Sequence, residues 1–74
     1  MNVDHLVRMA NDIANFFIGE NGEAEAAPGI ALHMQKFWDP RMRAAIIEHV
    51  KQGGAQLKPV VIQAVRTLQP PPPR

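Results

Sequence analysis

Phe37-Trp38-Asp39-Pro40-Arg41-Met42-Arg43 contains the sharpest punctuation in this chain. Pro40 disfavours the right-handed helical conformation at the residue before it, so a helix arriving through Phe37 has to end by Asp39. The same two residues suit the start of another helix. Asp39 fits the N-cap, where its carboxylate meets unpaired backbone N–H groups, and Pro40 fits the first helical position, where a missing N–H is no loss. The chain therefore turns abruptly between two helices at this point. Upstream, Ala27, Ile30, Ala31, Met34 and Phe37/Trp38 recur at steps of three and four, which is one stripe of a helix predicted over about 26–38. Its start falls somewhere between Glu23 and Pro28, because Pro28 fits a first turn and fits poorly any deeper. Glu23 and Glu25 suit the positive end of the helix dipole in either case. Downstream, Met42, Ala45, Ile46, His49 and Val50 form the inward stripe of a third helix over 40–52, and Gly53-Gly54 stops it.

The outer segments follow the same period. Val3, Leu6, Met9/Ala10, Ile13 and Phe16/Phe17 predict a first helix over 3–18. Asn2 or Asp4 caps its start, and Asp4 sits four residues before Arg8 in the favourable acid-first order. Gly19-Glu20-Asn21-Gly22 ends it, since Gly and Asn tolerate positive φ. A fourth helix is predicted over 59–68, with Pro59 at its first position, Val61, Ala64, Val65 and Leu68 on one face, and Leu57 just ahead. Residues 69–74 carry four consecutive prolines and predict an extended, disordered polyproline tail. No alternating strand pattern and no internal repeat is present. The expected architecture is all-α: one domain over 1–68, a small three- to four-helix bundle with short connections, in which helix 4 is either a full member or an appendage on three helices.

A chain of 74 residues supports one small domain with a thin core. Such domains, when they lack metal or disulfide staples, often gain stability by docking or self-association. The chain has no Cys, Ser or Tyr, and Thr67 is its only Thr. There is accordingly no disulfide framework, no thiolate metal site and no protein-supplied iron–sulfur ligand. A covalent catalyst would have to be Thr67, a Lys, a His or a carboxylate, and none has a recognisable setting, which argues against hydrolase or transferase chemistry. No apolar run approaches the roughly 20 residues that span a bilayer, and no basic segment leads an apolar stretch as in a signal peptide. The expectation is a cytoplasmic protein without membrane partners. Net charge is only +1 but unevenly spread. Residues 1–25 carry Asp4, Asp12, Glu20, Glu23 and Glu25 against Arg8, a net of −4, while residues 26–74 carry seven bases against Asp39 and Glu48, a net of +5. Such a split reads as complementarity between helices or as two unlike binding faces.

Each candidate constellation has a plainer structural reading beside it. His5, His33 and His49 lie 28 and 16 residues apart, far from the i,i+4 spacing of a helical metal pair, so no metal site is expected. His49, on the apolar stripe of helix 3, reads as a satisfied core or interface histidine. Glu20, Glu23 and Glu25 lie in a solvated loop without the burial that acid–base work requires. Gly53-Gly54 lacks the G-x-x-x-x-G-K-[ST] frame of a phosphate loop and follows a helix. A helix-turn-helix DNA-binding reading would make 59–68 the recognition helix, yet that segment offers only Gln63, Arg66 and Thr67 for base contact. Nucleic acid is therefore an alternative rather than the expected partner. Self-association, with Trp38 and Met42 buried against a second copy, is another.

The Asp-Pro corner carries most of the functional information. Trp and Arg dominate binding hot spots, Trp by area and Arg by planar hydrogen bonding, and here they share one rigid turn with Met42. Trp38, Asp39, Arg41, Met42 and Arg43 are the candidate partner-binding residues. The expected packing puts Phe37 in the core, Trp38 half-buried, and the two arginines facing outward. No catalytic, cofactor-binding or metal-ligating residue is assigned.

The same corner, Phe37-Trp38-Asp39-Pro40-Arg41-Met42-Arg43 preceded by Gly29-Ile30-Ala31-x-His33, resembles the delta subunit of NAD-dependent formate dehydrogenase. Met9-Ala10-Asn11-x-Ile13-x-x-Phe16-Phe17 and the Gly53-Gly54 stop before Leu57-Lys58-Pro59 are similar to that family as well, so the likeness spans residues 5–68. The resemblance implies the smallest component of a soluble molybdenum- or tungsten-dependent enzyme. In that family the large subunits hold the molybdopterin cofactor, the iron–sulfur clusters and the flavin. It implies a non-catalytic accessory or assembly subunit with no redox group of its own, whose partners are those large subunits. The motif residues would touch the large subunit or the acidic cofactor during loading. The proline tail lies outside the family pattern.

Overall fold

The computed structural model describes residues 2–70. They form four helices and, among the described residues, no strand: α1 Val3–Asn21, α2 Glu23–Phe37, α3 Pro40–Lys51 and α4 Pro59–Val65. The bundle is small and all-α. The proline tail expected over 69–74 lies, from Pro71 onward, outside the described residues.

α1 starts where the Asn2 side chain accepts from the Asp4 N–H at 2.8 Å, which satisfies one of the unpaired donors of the first turn. It runs past Gly19 to Asn21, three residues beyond the expected end at 18, and α2 begins at Glu23, the early end of the expected range. Gly22 alone joins them. Its N–H closes α1 on the Ile18 carbonyl at 2.8 Å, and its own carbonyl accepts from Glu25 at 3.2 Å. A one-residue joint is possible because Gly22 adopts φ 82, ψ 158, a region essentially reserved for glycine. Pro28 consequently sits inside α2, where it has no N–H to give to the helical ladder.

α1 packs most extensively on α2, and α2 in turn on α4. The buried line of α1 is Leu6, Val7, Ala10 and Ala14, facing Ala26, Ala27, Ile30 and Met34 of α2. Expected stripe members Val3 and Phe16 are exposed instead. The stripe turns towards the small residues because alanines let two helix backbones approach more closely than phenylalanines would. α4 buries four of its seven residues, Val60, Val61, Ala64 and Val65. It stops three residues short of 68 because Thr67 and Leu68 make tighter bonds to Ala64 and Val65, both at 3.0 Å, and the Thr67 hydroxyl also donates to the Ala64 carbonyl at 2.7 Å.

α3 is capped as its sequence suggests. Asp39 Oδ1 accepts from the Met42 N–H at 3.0 Å, and Pro40 opens the first turn. At the other end Gly54 N–H reaches back to the His49 carbonyl at 2.9 Å and Gly53 N–H to Val50 at 3.0 Å, the paired bonds of a Schellman stop. The seven-residue connection that follows is tied down by side chains. The Asn11 carboxamide of α1 donates to the Gln56 carbonyl at 2.9 Å and accepts from the Lys58 N–H at 3.0 Å. His49 Nε2 lies 2.8 Å from the Ala55 carbonyl; a carbonyl can only accept, so this nitrogen carries the proton. His49 is thus a half-buried structural residue that holds its loop.

Candidate partner interface

The elbow between α2 and α3 places its aromatic residues opposite to expectation. Trp38 is 4% exposed and belongs to the core, whereas Phe37 is 71% exposed. The reason is local backbone geometry. α2 ends at Phe37, and Trp38 takes an extended conformation (φ −84, ψ 135). That conformation re-aims the indole away from the position a further helical residue would occupy. Phe37, still helical, falls on the face it shares with Gly29 and His33, at i−8 and i−4.

The remaining motif residues divide by role. Asp39 caps α3 through its side chain and also accepts from the Arg43 N–H through its carbonyl at 3.0 Å. The Arg43 guanidinium donates to the Trp38 carbonyl, which would otherwise be left without a helical partner. The arginine head expected to face outward is therefore half-buried, and its Nε–H is buried without a hydrogen-bond partner among the described residues. Arg41 is exposed and Met42 is half-buried against the core. The elbow is thus fixed from within by Trp38, Asp39 and Arg43, and it presents Phe37, Arg41 and the edge of Met42 to solvent.

Phe37 ends a row of rings that crosses from α1 to α2. Phe16 and Phe17 pack edge to face with centroids 5.1 Å apart, Phe17 stands 6.3 Å from His33, and His33 stands 4.9 Å from Phe37, within the usual range of aromatic pairing. Phe16 is 62% exposed at the far end. Gly29 makes room for the row, since a Cβ there would meet the Phe17 ring at 2.6 Å. Sequence reading placed Phe16 and Phe37 on the core stripes and so missed this surface. The legible signal was Gly29, His33 and Phe37 at four-residue steps, a second face beside Ala26, Ile30 and Met34.

Among the described residues, no group of three or more His, Cys, Asp or Glu could hold a metal ion, and no helix is long and apolar enough to cross a membrane. α4, the candidate recognition helix, spends most of its seven residues on the core.

Fold and surface together define a class: a small all-helical bundle whose distinguishing feature is a row of aromatic rings exposed at both ends, beside a hydrogen-bonded, arginine-bearing elbow. The particular family follows from comparison. The model of the NADH-dependent formate dehydrogenase delta subunit family, FdsD, matches residues 5–65, from the first turn of α1 to the end of α4, and the chain belongs to that family. No curated protein and no solved structure gives a significant match.

Proposed function

We propose that this delta subunit is a non-catalytic accessory component that docks on the larger subunits of a cytoplasmic NADH-dependent formate dehydrogenase and supports assembly or stability of that complex. The observation that carries the reading is the exposed Phe37 ring at the end of the aromatic row, held beside Arg41 on a corner that Asp39 and Arg43 fix by hydrogen bonds. A large apolar ring kept in water at a pre-organised position has no use in the monomer core. It matches the aromatic-plus-arginine composition of binding hot spots, where rigidity lowers the entropic cost of association. Within the five-residue motif, Arg41 and Met42 offer side chains to the partner, and Trp38, Asp39 and Arg43 maintain the elbow.

The test is association of the purified chain with the remaining formate dehydrogenase subunits. Phe37→Ala and Arg41→Ala, both at exposed positions, are expected to weaken binding about tenfold or more while the helical fold, read by circular dichroism, is retained. Full affinity in both variants would remove the elbow from the interface. Failure of the wild-type chain to associate at all would remove the docking function.

A further inference from the structure

α3 and α4 leave a cleft of about 290 Å³ between them that shares no residue with the elbow or the aromatic row. It is lined by apolar Ile47 and Val50 of α3, Val65 at the end of α4, and Leu68 and Pro70 beyond it. Its charged members, Lys51 and Arg66, are both exposed cations. No acid lines it. The one carboxylate of α3, Glu48, is occupied on its own helix, accepting from Gln52 Nε2 at 2.9 Å.

From this arrangement we propose that the cleft is a second anchor point, taking an apolar side chain from a segment of a larger formate dehydrogenase subunit whose flanking residues are acidic. The proposal rests on the docking function stated above and names the chemistry of its partner. The volume suits one large apolar side chain. Anchors of that kind, seated in a desolvated pocket and ringed by polar contacts, carry much of an interface's affinity. The two cations are on the rim, where complementary charge steers encounter and fixes register, and like charge is penalised. An apolar floor with Lys51 and Arg66 on its rim selects an acidic, apolar-tipped segment over a basic or purely polar one.

The experiment measures binding of the full chain to formate dehydrogenase purified without it, across a salt series. The double variant Lys51→Glu/Arg66→Glu is expected to bind about tenfold more weakly at low salt, and its affinity should vary less with salt than that of the wild type. Lys51→Arg retains the charge and is expected to bind like the wild type. Circular dichroism should be unaltered in both, because the substituted side chains are exposed. The melting temperature of the double variant should fall by no more than the few degrees expected of a charge reversal in the last turn of α3. Unchanged affinity and salt dependence in the double variant would overturn the cleft proposal. If Phe37→Ala still weakened binding in the same assay, the docking function itself would stand. Sedimentation of the isolated chain supplies a further check. A concentration-dependent dimer abolished by the double variant would give the cleft to a second copy and overturn the proposal.

Discussion

The α1–α2 hairpin and the α3–loop–α4 half are held together by different forces. In the hairpin, alanines and branched apolar residues do the work: Ala10, Ala14, Ala26, Ile30 and Met34 are fully buried, and the joint is one glycine. The second half also buries apolar residues, among them Ile46, Leu57, Val60, Val61 and Leu68, and adds side chains that grip backbone. Asn11 holds both Gln56 and Lys58, His49 holds Ala55, and Arg43 holds the Trp38 carbonyl. A long helix satisfies its own backbone and needs only an apolar stripe to find its place. A seven-residue connection has no ladder of its own, so its peptide groups are satisfied from outside. Apolar burial orients the helices of both halves, and directional polar contacts additionally shape the connection between α3 and α4.

Trp38 is where the two halves meet, and removing it should have the largest effect. Trp38→Ala is expected to cost about 3–5 kcal/mol, a large part of the ~4–11 kcal/mol available to a domain of this length. Urea unfolding would show it as a much lower midpoint or as no folded baseline, and any loss of partner binding should track the loss of fold. Gly22→Ala attacks the hairpin. Forcing a Cβ into φ 82, ψ 158 is expected to cost about 1–3 kcal/mol, although nothing lies within 4 Å to clash with it; thermal melts would record a cooperative shift of the whole domain. Asn11→Ala attacks the other half. Loss of its two bonds is expected to cost about 1–2 kcal/mol, and hydrogen exchange should quicken at the Lys58 amide before it quickens within α2. If instead exchange rose uniformly, the division into two differently held halves would fail. The smallest effect is expected from Asp39→Ala, about 1 kcal/mol for the lost cap, read by denaturant titration and confined to the start of α3.

Much of this molecule was legible in advance, and the residues show why. Asp39-Pro40 announced the elbow because proline's constraint on its predecessor is covalent and local. Pro59 and Gly53-Gly54 marked a start and a stop for the same reason. The core face of α4 could be read from Val61, Ala64, Val65 and Leu68. The start of α2 could not be fixed, because burial of the flanking Ala26, Ala27 and Ile30 offsets the cost of a proline inside the helix. Of the elbow motif, the residue types were visible. Which of them point outward was not.

Sequence alone determined the number and kind of elements, the corner between α2 and α3, and the lack of thiol chemistry, since period, capping and composition act over a few residues. Tertiary structure decided that Trp38 goes in and Phe37 stays out, that Arg43 braces a carbonyl, and that Asn11 holds a loop 45 residues away. Neighbouring aromatics on one apolar stripe are equivalent to any periodic reading. Only the backbone direction at the end of α2 and the space left by the packed helices distinguish them.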